Sequence, residues 1–409
     1  MSRAIVSNTL AMIQNCHLAS LLVVAAFVPM HSARADETSS SPELRAAVES
    51  AGSNRTEIVA ALDRTPAAER DAMIFLVENM PERDLRELKA DYLLETSRLA
   101  HQVLDEVPWG RNLPRDVFLN DVLPYAVINE RREAWRRKFH DRFLPWIKEA
   151  KTSGEAAAIL NQRVFPEVDV RYSTGRPKAD QSPFESIAAK KASCTGLSVL
   201  LVDACRAVGV PARLVGTPLW ADNSGNHSWV EVWDGAWRFT GAAEPSGRQL
   251  DQAWFAGRAS QAEAGHPQKG IFATSWRRTP LRFPMVWARD IDWVHAVEVT
   301  ERYTVRRKDL APGLARLRIR VLERLGGQRV AATVRVLEIP SGRELFKGSA
   351  KDERFDLNDH LEIEVPVEKA LRLEVRSAEK LVEQTICLLT REALETVFLD
   401  PNPSASPNP

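Results

Sequence analysis

Two short segments combine residue types that can break and remake an acyl bond. The first is Ser193-Cys194-Thr195-Gly196-Leu197, which opens the apolar run 198–210 (SVLLVDACRAVGV). Ser193 is of an N-cap type. Leu197, Leu201, Cys205 and Val208 recur at helical spacing, with Gly209 as a stop signal and Pro211 beyond it. The pattern predicts a buried helix with a thiol at its N-terminus. There the helix dipole and the free backbone N–H groups favour the thiolate, and the same N–H groups can donate to a developing oxyanion. The second segment is 227–239 (HSWVEVWDGAWRF), two alternating apolar runs around Asp234-Gly235, a strong hairpin signal. With Asp234-Gly235 as the whole loop, His227 lies opposite Ala242 at the open end of the hairpin, beside 240–244. Glu244 is the only carboxylate in that stretch. Cys194, His227 and Glu244 thus make a nucleophile, a base and a group that orients the base. The thiolate attacks an amide carbonyl, the imidazole protonates the leaving amine, and water or a second amine resolves the thioacyl enzyme.

The run S-C-T-G-L-S, the exit L-L-V-D-A-C-R-A-V-G-V-P-A-R and the hairpin H-S-W-V-E-V-W-D-G-A-W resemble the transglutaminase-like superfamily, relatives of papain-type thiol enzymes. The resemblance covers about 181–255, under a fifth of the chain. It implies a papain-like α+β core with a Cys-His-Asp triad, Cys194 matching the nucleophile and His227 the base. The third member departs from the pattern. The family places Asp-Pro shortly after the second strand's Trp, whereas here Glu244-Pro245 stands about three residues further on. Asp234 is held at the far end of the hairpin, and Asp222 precedes His227 in a loop.

Other residues are candidates for the same site. Trp220, in a loop rich in Asn, Gly and Asp, and Trp229, on the His227 face of its strand, are candidate substrate-binding walls. Gln181 is a candidate oxyanion donor, although its spacing to Cys194 is longer than in papain. Cys205 stands about 16 Å along the helix from Cys194, too far for a disulfide, and reads with Cys387 as core packing. No His residues show metal-ligand spacing, so no metal and no cofactor are expected.

These segments need a scaffold. The 409 residues suggest two or three domains. Helical periodicity runs from Ser41 to about Arg163, including a charged run 84–107 and another at 128–150, where RREAWRRK reads as a solvated face. Helix and strand signals mix through 155–293. Period-two alternation then takes over in ARLRIRVLERL, RVAATVRVLEI, LEIEVPV and LRLEVRS, which reads as a small sandwich. The expected architecture is α+β: a signal peptide at 1–35, a helical region at 36–154, a transglutaminase-like catalytic domain at 155–293, an all-β sandwich at 294–400 and a disordered tail at 401–409.

The apolar run 18–30 behind Arg3, closed by Ala33-Arg34-Ala35, has the form of a cleavable secretory signal. At 13 residues it is too short to span a bilayer. Cleavage would remove two of the 55 basic residues and none of the 55 acidic ones, leaving a net charge of −2 and three Cys. The charge balance argues against a nucleic-acid partner. The expected setting is extracytoplasmic, periplasmic or secreted, with a protein or peptide substrate and no membrane span in the mature chain. Cysteine-dependent hydrolysis of a peptide or protein is the leading reading. Amine transfer to protein glutamine, as in a true transglutaminase, and a non-catalytic peptide- or cell-wall-binding module are the alternatives.

Overall fold

The computed structural model describes residues 41–305, 309–378 and 380–400. The proposed signal peptide and the C-terminal tail lie outside them. The described residues form one compact unit. Among the described residues no helix is long and apolar enough to cross a membrane.

The N-terminal part is helical, as its periodicity predicts: Pro42–Ser50, Arg55–Arg64, Arg70–Asn79, Glu82–Glu87 and Ala90–Glu106 pack around Ile58, Met73, Leu76 and Leu93. The charged run expected over 84–107 breaks at Leu88-Lys89, where the backbone turns extended. The 128–150 run shortens to helix Trp135–Phe143, with Pro145 in a following 3-10 turn. Its Arg-rich stretch is only in part a solvated face, with Arg131 and Lys138 exposed. Arg136 is buried and donates to the carbonyls of Val122, Leu123, Pro124 and Arg206, and Arg132 pairs with Asp84. These guanidinium groups reach a carboxylate and carbonyls of other segments, which a sequence pattern of alternating charge does not reveal.

Helix Cys194–Ala207 is the centre of the molecule. Every residue from Thr195 to Ala207 is buried, as the apolar run requires. It packs on helices Trp135–Phe143 and Ser153–Val168 and on strands Ala212–Thr217 and His227–Trp233. Those strands belong to an antiparallel six-stranded sheet in the order Trp237–Thr240, His227–Trp233, Ala212–Thr217, Phe272–Ser275, His295–Glu298, Leu281–Arg282. Helix Ser153–Val168 runs across the expected 154/155 boundary, and strand His295–Glu298 lies past the expected 293/294 boundary, because Ala296 and Val297 pair with Thr274 and Ala273.

The C-terminal part is a two-sheet sandwich. One sheet orders Glu344–Ala350, Ala332–Glu338, Ala370–Ser377 and Lys380–Cys387. The other orders Leu361–Pro366, Leu314–Arg324 and Glu392–Asp400, the last pair parallel. Leu317, Ile319 and Val321 from one sheet share a core with Val334, Leu373 and Val375 from the other. Cys387 is exposed rather than core. Strand alternation gives the inward positions to its neighbours Ile386 and Leu388, both buried.

Leu201, 1% exposed in the central helix, supports the elements that carry the site. Leu201→Ala is expected to cost about 2–5 kcal/mol of stability, read by chemical unfolding; a loss under about 0.5 kcal/mol would contradict this packing.

Candidate active site

Cys194 begins its helix as the spacing predicts. The Ser193 hydroxyl accepts the Gly196 N–H at 3.0 Å, and the Ser193 carbonyl accepts the Leu197 N–H. The N–H groups of Cys194 and Thr195 are the remaining donors of the first turn. Thr195 Oγ1 lies 3.0 Å from Ser228 Oγ, stitching the start of the helix to the start of the His227 strand. Cys194 is partly exposed, and Cys205 is buried.

His227 sits at the end of its strand, paired with Thr217. The hairpin beyond it has a three-residue loop, not two: Trp233 pairs with Trp237 and Gly235 adopts φ +75°. The register therefore slips by one from that expected. Asp234 is drawn away to the start of helix Ser153–Val168, where Ser153 Oγ donates to it at 3.0 Å.

The imidazole is 2% exposed and enclosed by rings. Trp254 and Phe255 lie 4.9 and 5.0 Å away, and Trp229 and Trp220 at 5.9 and 6.0 Å. Trp220 and Trp229, expected as substrate walls, are themselves buried at 2% and 0% exposure, their rings parallel within 2°. The loop before His227 is closed by the bond from Trp220 N–H to the Gly225 carbonyl, which turns Trp220 inward. Both rings wall the histidine and present no free face to a ligand. Gln181 points its amide nitrogen at the Lys191 carbonyl, 3.0 Å away.

The acid facing His227 is Asp356, from the sandwich. Its Oδ2 lies 3.4 Å from His227 Nδ1, an ion-pair contact longer than a tight hydrogen bond, and both side chains are 2% exposed. Neither ring nitrogen makes a hydrogen bond of normal geometry; catalytic contacts are commonly loose before substrate binds. Single donor atoms of Cys194, His227 and Asp356 all lie within 4.8 Å of one another. One ion could reach all three, so a chelator control belongs with any activity assay.

Glu244, expected in Asp356's place, is engaged otherwise. A tight turn bonds its N–H to the Gly241 carbonyl and puts Ala243 at φ +63°. Its carboxyl curls over Gly241, where an added Cβ would meet Oε2 at 2.2 Å, and accepts from Trp254 Nε1 at 2.9 Å. Asp222 pairs with Arg258 and Arg318.

The electrostatics separate the two acids. Burial alone would depress the His227 pKa, but the charge of Asp356, with that of Cys194, holds it well above the usual histidine value. Burial raises Asp356, yet the His227 charge and the bonds from Asn358 keep it below the ordinary carboxylate value. Glu244 is pushed up to about 7 by desolvation, against the lowering pull of His227. Such divergence between neighbouring acids assigns them different states: Asp356 ionised, Glu244 largely neutral below pH 7.

Residues 143–247 match the family model of the transglutaminase-like superfamily. This segment is similar to the core of that superfamily. It contains Cys194 and His227; Asp356 lies far outside it. Among solved structures, a candidate cysteine protease from Cytophaga hutchinsonii is 17% identical over 49% of this chain, with a TM-score of 0.28. Red sea bream transglutaminase is 10% identical over 72% of this chain, with a TM-score of 0.24. The matched regions span 60% and 58% of those two chains. No curated protein matches the sequence. With a thiol at a helix N-terminus beside a buried imidazole, the segment similar to that superfamily carries the groups of thiol acyl transfer.

The raised His227 value stabilises the fold fully below the unfolded histidine pKa and is lost as pH rises through the folded one. The lowered Asp356 value stabilises above the unfolded carboxylate pKa and is lost as pH falls through the folded one. Both contributions are complete between about pH 4 and 6.5. The His227 ring, followed by NMR, is expected to titrate above pH 6.5 in the native protein and at lower pH in Asp356→Asn, where Cys194 alone of the two partners opposes burial. Equal midpoints in the two proteins would contradict the pairing.

Proposed function

We propose that this protein is a cysteine-dependent acyl transferase acting on amide bonds through a thioacyl intermediate, and that water is its acceptor, making it a peptide or protein hydrolase. The observation that carries the reading is the convergence of Cys194, His227 and Asp356 at the N-terminus of a buried helix. Cys194 Sγ attacks the amide carbon, and the negative oxygen forms beside the first-turn N–H groups. As the C–N bond breaks, the His227 imidazolium gives its proton to the leaving amine. The neutral ring then takes a proton from water, whose oxygen attacks the thioester and expels the Cys194 thiolate. Asp356 holds the ring's orientation and stabilises its charged form. The signal-like segment at 1–35 supports an extracytoplasmic setting.

A peptide library incubated with the protein lacking residues 1–35 tests the reading. Cys194→Ala should abolish turnover with an unchanged unfolding midpoint, and Asp356→Asn should lower kcat at least about a hundredfold. A chelator should leave turnover unchanged. Turnover surviving Cys194→Ala would refute the thiol mechanism, whereas incorporation of a primary amine in place of acid release would replace water as the acceptor.

A further inference from the structure

Asp356 can serve His227 only if a loop of the sandwich is held against the core. We infer that Asn358 is the positioning residue that does this, locked in place by Arg258 and the Asp222–Arg318 pair; the inference rests on the functional reading above. Asp356 has two oxygens with separate tasks. Oδ2 faces His227 Nδ1, and Oδ1 accepts from both the backbone N–H of Asn358 at 2.9 Å and its side-chain Nδ2 at 3.3 Å. The same Nδ2 donates to the carbonyl of Asn226 at 3.0 Å, the residue immediately before His227. One amide therefore grips the acid and the backbone of the base together, which sets the distance between them.

The grip is built to be close. Gly225 adopts φ +134°, and a Cβ there would stand 3.0 Å from Asn358 Oδ1. Arg258 Nη1 donates to the Asn358 carbonyl at 3.0 Å, and its Nη2 donates to Asp222 Oδ2 at 2.9 Å. Asp222 also binds Arg318, on the sandwich strand Leu314–Arg324. The side chains of Arg258, Arg318 and Asp222 are only 4%, 7% and 14% exposed, so these ion pairs are shielded from solvent. Arg258 also lies 5.0 Å over the Trp220 ring, which stacks on His227. Core and sandwich thus meet at one polar joint, and the joint ends on the two groups that must touch.

The test needs no known substrate. Alkylation of the mature protein by iodoacetamide is followed by mass spectrometry across pH, at Cys194, at exposed Cys387 and at buried Cys205 as an unfolding reporter. Asn358→Ala should slow Cys194 labelling near pH 6 about tenfold, the effect of losing one hydrogen bond to a charged group, with Cys205 still protected. Combined with Asp356→Asn it should add nothing further. If Cys205 becomes reactive, Asp222→Asn decides by the same criteria. An unchanged Cys194 rate overturns the inference, as does a tenfold loss that persists on top of Asp356→Asn. Native Cys194 labelling no faster than Cys387 fails at an earlier point and overturns the functional reading itself.

Discussion

The contact between the Asp356 carboxylate and the His227 imidazole organises this molecule. Two charged groups at 2% exposure are costly unless each answers the other. The imidazole is boxed by four aromatic rings that offer it no hydrogen-bond acceptor, so its charged form is held by groups from outside the box, Asp356 first and Cys194 after it. The sandwich supplies that acid. It is therefore part of the candidate active site, in addition to whatever it spaces or binds.

This arrangement changes what the local acid can do. Glu244 occupies roughly the place where the superfamily pattern puts its aspartate, yet its carboxyl closes a turn over Gly241 and bonds Trp254. Trp254 in turn lies against His227. Glu244 thus fixes one wall of the imidazole's box, and Asp356 fixes the charge. A neutral acid near the ring and an ionised one facing it can coexist, where two ionised carboxylates beside one thiolate would repel.

Much of this was legible in the chain, for reasons that separate the successes from the failures. Cys194 and His227 were readable because an N-cap, an apolar stripe and a strand hairpin are local patterns whose geometry follows from neighbours in sequence. The sandwich strands were readable by their period of two. Asp356 was not, because it lies 129 residues beyond His227, in a loop 351–360 that holds four acids and no pattern to choose among them. Glu244 drew the prediction because proximity in sequence stood in for proximity in space. Trp229 was placed on the His227 face of its strand, but alternation tells which face a side chain takes and not what covers that face; Trp220, read as part of a loop, is turned inward by that loop's closure. Arg132 and Arg136 failed likewise, since the partners that draw them inward, the Asp84 carboxylate and the carbonyls of Val122 and Leu123, belong to other segments of the chain.

The acid we propose for His227 comes from the sandwich. The most direct test of this assignment is the pH profile of Cys194 alkylation in the native protein, in Asp356→Asn and in Glu244→Gln, measured side by side. Asp356→Asn should slow Cys194 labelling relative to the native protein, and Glu244→Gln should leave a near-native profile. A displaced profile in Glu244→Gln with a native one in Asp356→Asn would contradict it and return the role to the acid of the core.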